Sequence, residues 1–337
     1  MIQINEVNLH TNWQKELANV VTCPDTLLKM LGLESHFSAK DIAAKRLFPL
    51  RVPRPFIAKM RYGDPHDPLL LQVMPLHQEF IVASGFNKDP LEEQDAPVPG
   101  LLHKYRTRVL LMLKTGCAVN CRYCFRRHFP YQDNQVNKRA LKPVFEYLVA
   151  HPEINEVILS GGDPLMAKDD MICWLLDELE ALPQLKRIRI HSRLPVVIPA
   201  RITDKLCDRL AASRLKAILV NHINHPNEID DEFKTAMHRL KQAGVTLLNQ
   251  SVLLKGINDS THILSELSEA LFDSDILPYY LHLLDKVEGA SHFDMSESDA
   301  TKLVAEMLEI LPGFLVPKLV REIGGKQSKT PIDLHLS

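Results

Sequence analysis

From Val109 onward the chain alternates short apolar runs with amphipathic stretches of helix length, and this alternation narrows the fold more than any other feature. The runs are VLLML (109–113), VILS (157–160), RIRI (187–190), AILV (217–220), TLLNQ (246–250) and PYYLHLL (278–284). Between them lie segments such as MICWLLDELEAL and DEFKTAMHRLKQAG. Strands that alternate with helices form parallel βα units. Their crossovers are right-handed, so six units predict an α/β fold, a parallel sheet curled into a partial (β/α)6 barrel with helices outside. Chemistry in such folds gathers on the loops after the strands' C-terminal ends. The suspicious residues fall there: a cysteine loop, SGGDP, HSR, NHINH, NQS and LLDKVEG.

The first hundred residues read differently. Helices are expected around Asn12–Val20 and Pro24–Leu31, followed by RVPRPF, GDPHDP and APVPG. Those prolines interrupt regular structure and favour turns. The organisation predicted is a helical, loop-rich region over 1–100 packed on the barrel, the barrel over 101–295, and a C-terminal helix and segment over 296–337. No internal repeat or low-complexity segment breaks this plan.

With 337 residues, the chain can bury a large core. A formal net charge of −2 argues against a broad basic surface for nucleic acid. No run of about 18 apolar residues is present, so no spanning helix is expected. The start, MIQINEVNLHTNWQKEL, lacks the basic and apolar regions of a signal peptide. A cytoplasmic protein is therefore expected, and its six cysteines are read as thiols rather than disulfides. Cys23, Cys173 and Cys207 stand alone and read as buried thiols.

Cys117, Cys121 and Cys124 are different. Their segment, CAVNCRYC, follows the first apolar run directly. Three close thiols can hold three irons of a [4Fe–4S] cluster and leave the fourth iron open, whereas simple electron-transfer clusters have four cysteines. A zinc site completed by His128, or three uncommitted thiols, is the plainer alternative. The spacing favours the cluster. In SGGDP, Gly161 and Gly162 let backbone approach a ligand, and Asp163 can accept a hydrogen bond from an ammonium group. A tight βα turn explains those residues about as well. His222 and His225 form an H-x2-H pair with no further ligands nearby, which favours hydrogen bonding over metal binding.

The C-x3-C-x2-C spacing, with Tyr123 before the third cysteine, resembles the radical S-adenosylmethionine (SAM) superfamily. Longer stretches are similar to the lysine 2,3-aminomutase family: GLLHKYRTRVLL, CRYCFRRHF, LSGGDPL, IRIHSRLPVVIPARIT, NHINHPNEI, NQSVLLKGIND, PYYLH and SKTP. They span residues from about 90 onward. Within the family the chain looks closest to a shorter bacterial branch whose product is attached to elongation factor P. It lacks the C-terminal extension and zinc-binding cysteines of fermentative members, so an oligomer, though possible, is not expected to be built through that extension.

The resemblance implies an isomerase, an intramolecular aminotransferase that turns L-lysine into β-lysine with a [4Fe–4S] cluster, SAM and pyridoxal phosphate (PLP). Lys329, just before Thr330 and Pro331, is implied as the PLP lysine, with Lys326 as its rival. Lys104 and Arg108 are implied near the PLP phosphate, with Arg106 beside them; Gln250 is implied near the cofactor. The SGGD element would hold the SAM amino group, and Ser192, Arg193, His222 and His225 would line the SAM pocket. Arg126 matches the arginine for the substrate carboxylate, with Arg127 and His128 as support or surface. Asp285 matches an acid for the distal ammonium of lysine, and Glu322 a second acid, aspartate in fermentative members. Implied partners are a reductant such as flavodoxin or ferredoxin, elongation factor P and its β-lysyl ligase. The rivals are an aminomutase for another amino acid, an RNA-modifying radical SAM enzyme, and a zinc-binding interaction protein.

Overall fold

All six expected strands form, and three further strands extend the sheet. The computed structural model describes residues 12–93, 97–129 and 138–336. Its strands are β1 (Leu101–Tyr105), β2 (Arg108–Lys114), β3 (Glu156–Gly161), β4 (Arg187–Ser192), β5 (Lys216–Asn221), β6 (Thr246–Val252), β7 (Leu277–His282), β8 (Lys318–Arg321) and β9 (Thr330–Pro331). They lie side by side in chain order. From β2 to β8 every pairing is parallel, while β1 and β9 flank this array in antiparallel fashion. The sheet does not close, as a partial barrel requires.

Strand patterning decides what faces the barrel interior. In β4, exposure alternates along RIRIHS. Ile188 and Ile190 turn outward into the apolar core, while Arg189 and His191 line the interior. Charged side chains inside a barrel are costly unless they meet a ligand or an ion partner. Arg189 has one, Glu156 on β3.

The helices begin where a side chain satisfies their first free N–H groups. Asp230 caps the helix Asp231–Gln242, Ser260 caps Thr261–Phe272, and Ser296 caps Glu297–Ile310. The segment DEFKTAMHRLKQAG is therefore helical as far as Gln242, and MICWLLDELEAL lies mostly within the helix Asp169–Glu180. PYYLHLL is strand only to His282.

The N-terminal region begins with the helices Trp13–Ala18 and Pro24–Leu31 and continues in short helical turns such as Arg54–Ile57 and Pro68–Leu71. Trp13, Leu27, Leu28 and Phe56 share one apolar core with Leu111, Leu159 and Ile190 of the barrel. The C-terminal segment is likewise no appendage. Its helix packs through Ala300, Val304 and Met307 onto Leu264 and Leu281, and then delivers β8 to the sheet.

Cys207 is buried as expected, but Cys23 and Cys173 are only half-buried. Cys23 sits before a helix with its thiol 3.5 Å from Asp25, and Cys173 lies toward the outer side of its helix. Among the described residues no helix is long and apolar enough to cross a membrane. The leader reading rests largely on residues 1–11, which lie outside the described ones.

Candidate active site

A cavity of about 230 Å³ opens at the C-terminal ends of the parallel strands. It gathers the three cysteines, Tyr123, Arg126, the Gly161–Asp163 turn, Ser192, Arg193, His222 and Gln250. Arg108, Asp285, Glu322 and Lys329 line it too. Lys104 does not: its ammonium bonds the Leu91 carbonyl at 3.0 Å and Glu93 at 3.2 Å. Lys326 is exposed and outside the cavity.

The SGGD turn is built against the end of β2 and Gly116, the residue before Cys117. Gly162 N donates to the Lys114 carbonyl at 2.8 Å, and Asp163 N to the Gly116 carbonyl at 3.0 Å. A Cβ on Gly162 would lie 2.5 Å from the Gly116 oxygen, and Gly161 has φ +109°. The glycines thus admit the chain's own backbone, where the sequence had suggested close approach to a ligand. Asp163 is also engaged internally. Its carboxylate accepts from Ser192 Oγ at 2.7 Å, from Arg193 N and Leu194 N at 2.9 Å, and from Leu165 N at 3.0 Å. Burial nevertheless raises its pKa against those bonds.

Arg193 carries this network across the cavity floor. Its Nη1 donates to Tyr123 Oη at 2.5 Å and to Cys121 Sγ at 2.7 Å. Nη2 donates to Gln72 at 2.6 Å and Glu228 at 2.9 Å. Asn224 Nδ2 donates to Tyr123 Oη at 2.7 Å. Burial drives the Cys124 thiol up to about 11 and, with Asp163 and the sister thiols, lifts Cys117 well above its ordinary value. Three thiolates are the ligands that a cluster with one open iron takes, and Cys117, Cys121 and Cys124 line one cavity, so the donor set fits an iron–sulfur cluster. Among the described residues no three His, Cys, Asp or Glu side chains converge on a single metal ion.

At the other end, the antiparallel pairing of β8 with β9 matches Arg321 with Thr330. The next pair along is Glu322 with Lys329, and Lys329 Nζ lies 2.5 Å from Glu322 Oε2. Tyr105 Oη donates to Glu322 Oε1 at 3.2 Å. Burial works to raise the Glu322 pKa, but Lys329 and Tyr105 hold it below the usual value. Lys329 Nζ also lies 5.8 Å above the Tyr280 ring. Among the described residues the Asp285 carboxylate accepts no hydrogen bond; burial and the Glu322 charge push its pKa up to about 7.

Between the two ends, His191 Nε2, His282 Nε2 and Gln250 Oε1 are buried and have no hydrogen-bond partner among the described residues. His222 Nε2 lies 3.2 Å from Gln250 Nε2. Burial, and then the charges of Arg193, Lys329 and Arg126, lower His222 to about 3. His225 turns away and caps the next turn, with Nδ1 accepting from Asn227 N at 3.1 Å. The H-x2-H pair therefore shares no single point. His128 faces the Glu288 carbonyl at 3.2 Å, outside the cavity.

The model for the Radical SAM superfamily matches residues 112–266. The L-lysine 2,3-aminomutase of Escherichia coli K12 is 58% identical over 326 residues, which cover 96% of this chain and 95% of the relative. That of Haemophilus influenzae is 57% identical, over 95% of each chain. The chain belongs to the lysine 2,3-aminomutase family. The enzyme of the same name from Clostridium subterminale is 33% identical, over 95% of this chain and 77% of that one.

Against that family frame, the structure adds residues not singled out from the sequence. His191, Asn224, Glu228, Tyr280 and His282 lie inside the quoted family-like stretches, so a strand-parity count could have placed some of them indoors. Gln72 and Glu93 come from the N-terminal region and carry no motif. They reach the site only because that region folds against the barrel mouth.

Proposed function

We propose that this protein converts L-lysine into β-lysine by moving the amino group from C2 to C3. Opposite charges at the two ends of one cavity carry the reading. Arg126 stands at the cluster end, and Asp285 with Glu322 at the other. A guanidinium suits a carboxylate because it keeps its charge and donates charge-assisted hydrogen bonds. An unpaired acid in a low-dielectric pocket suits an ammonium, which favours its charged form.

Cys117, Cys121 and Cys124 would hold a [4Fe–4S] cluster, with SAM beside Tyr123, His222 and the SGGD turn. PLP would be held by Lys329, with Arg108 for its phosphate and Gln250 nearby. The unpartnered atoms of His191, His282 and Gln250 are the polar surface such ligands would satisfy. When bound, these groups supply a radical able to take hydrogen from unactivated carbon and a conjugated carrier for the migrating nitrogen.

The protein's own residues bind and orient. Glu322 steadies Lys329 Nζ, and Tyr105 steadies Glu322. Asp285, as a carboxylate, would take the distal ammonium. His191, His222 and His282 are held neutral by burial, so they offer hydrogen bonds without repelling that ammonium. A glutamate side chain would meet Asp285 and Glu322 as like charges, which disfavours a glutamate mutase. Resemblance to the shorter bacterial branch supports a wider setting, with flavodoxin or ferredoxin as reductant and a ligase that passes β-lysine to elongation factor P.

The test is an anaerobic assay of reduced enzyme with SAM, PLP and lysine, followed by chiral amino-acid analysis. β-Lysine is the expected product. Turnover of a different amino acid with none of lysine would replace the substrate assignment, and zinc in place of iron and sulfide would point to an interaction module.

A further inference from the structure

Arg126 does not stand alone at the carboxylate end. Glu93 grips the Nε–Nη2 edge of its guanidinium in two bonds, 2.6 Å to Nε and 3.1 Å to Nη2. Nη1 reaches Ser160 Oγ at 3.1 Å and the Gly161 carbonyl at 3.3 Å. The plane of the fork is thus set by the N-terminal region on one side and the end of β3 on the other. Glu93 is anchored in turn: its N–H donates to Asp89 at 3.1 Å, and Lys104 Nζ lies 3.2 Å from its Oε1. Glu93 and Arg126 line the cavity, whereas Lys104 stands behind them.

We propose that Glu93 and Lys104 are positioning residues for Arg126, and that the three form a charge triad which reads the carboxylate of the amino-acid substrate. The inference rests on the assignment of that carboxylate to Arg126. A long arginine side chain recognises a carboxylate well only when its fork is pre-aimed, because the ordering entropy is then spent during folding. Glu93 supplies the aim, at the cost of cancelling the arginine's charge. Lys104 Nζ, 3.2 Å from Glu93 Oε1, draws part of that negative charge away from the guanidinium. Stability alone is a poor reason for this arrangement, since a buried ion pair often stabilises no better than apolar residues of similar volume.

The test compares Glu93→Gln, Lys104→Gln, Arg126→Gln and the double variant Glu93→Gln/Arg126→Gln. Lysine binding is followed through the PLP absorption band, beside KM, kcat, PLP loading and melting temperature. Glu93→Gln is expected to weaken lysine binding roughly ten- to hundredfold, chiefly in KM, as loss of a charged hydrogen bond does. Lys104→Gln should act in the same direction by a smaller factor. The double variant should bind lysine no worse than Arg126→Gln, because both changes remove one interaction.

Unchanged lysine binding in Arg126→Gln would overturn the carboxylate assignment and the triad together. Weakened binding in Arg126→Gln with unchanged or tighter binding in Glu93→Gln would overturn the triad alone. So would additive losses in the double variant, or a fall in PLP loading and melting temperature that tracks the loss of lysine binding. If Glu93→Gln does not fold, Lys104→Gln decides the matter, and unchanged lysine affinity there counts against the proposal.

Discussion

The two halves of the cavity are finished to different degrees. Around the cysteine loop, Asp163, Ser192, Arg193, Asn224 and Glu228 mostly satisfy one another, with Arg193 Nε as an exception. Around Lys329, by contrast, His191, His282 and Gln250 leave buried atoms unpaired, and Asp285 accepts no hydrogen bond among the described residues. Buried polar groups without partners are costly, and a bound ligand is one way to satisfy them. The first half is prebuilt. The second keeps polar atoms open to a partner.

Removing one cluster thiol attacks the prebuilt half and should have the largest effect. Alanine at Cys117, Cys121 or Cys124, reconstituted anaerobically, should abolish stable cluster assembly and SAM cleavage. Normal iron content and SAM cleavage in all three variants would break the comparison, because that half would then hold something other than a cluster.

Next in size is the lysine at the open half. Lys329→Ala should lose covalent PLP and most turnover, while Lys326→Ala should keep both. Borohydride reduction of the parent and peptide mass analysis locate the modified side chain. A pyridoxyl adduct on Lys326 would overturn the assignment.

The smallest effect is expected at Asp285, where it also depends on pH. Its pKa is raised to about 7, so the carboxyl is neutral below that value and ionised above it. Lysine affinity should therefore rise as pH climbs through about 7. Asp285→Asn should lose about 1.5–3 kcal/mol of lysine binding and flatten that pH dependence, with SAM and PLP still bound. Unchanged lysine kinetics in Asp285→Asn would show that the unpaired acid is not the ammonium's partner.

Much of the architecture was legible because its signals are local. Apolar runs at 109–113, 157–160 and 187–190 read as strands, and each became one. β1, β8 and β9 are not legible in the sequence, because four residues such as KLVR, or the pair Thr330–Pro331, carry too little periodicity. They exist because neighbouring strands pair with them. The glycines of SGGDP signal close backbone approach, and the backbone they admit is that of β2 and Gly116. Resemblance implies Lys104 near the cofactor phosphate, whereas its ammonium is bonded to Leu91 and Glu93 and does not line the cavity.

Sequence by itself determined the parallel barrel, the clustering of reactive loops at one end, and the three-cysteine motif. Each depends on spacing along a single segment, and spacing survives without coordinates. Tertiary structure alone decided which side chains oppose one another across the cavity. Glu322 meets Lys329 because β8 and β9 run antiparallel, and Glu93 meets Arg126 because the N-terminal region closes on the barrel mouth. Those pairings join residues that are 7 and 33 positions apart. Charge complementarity at such distances is set by packing and register, which no local pattern encodes.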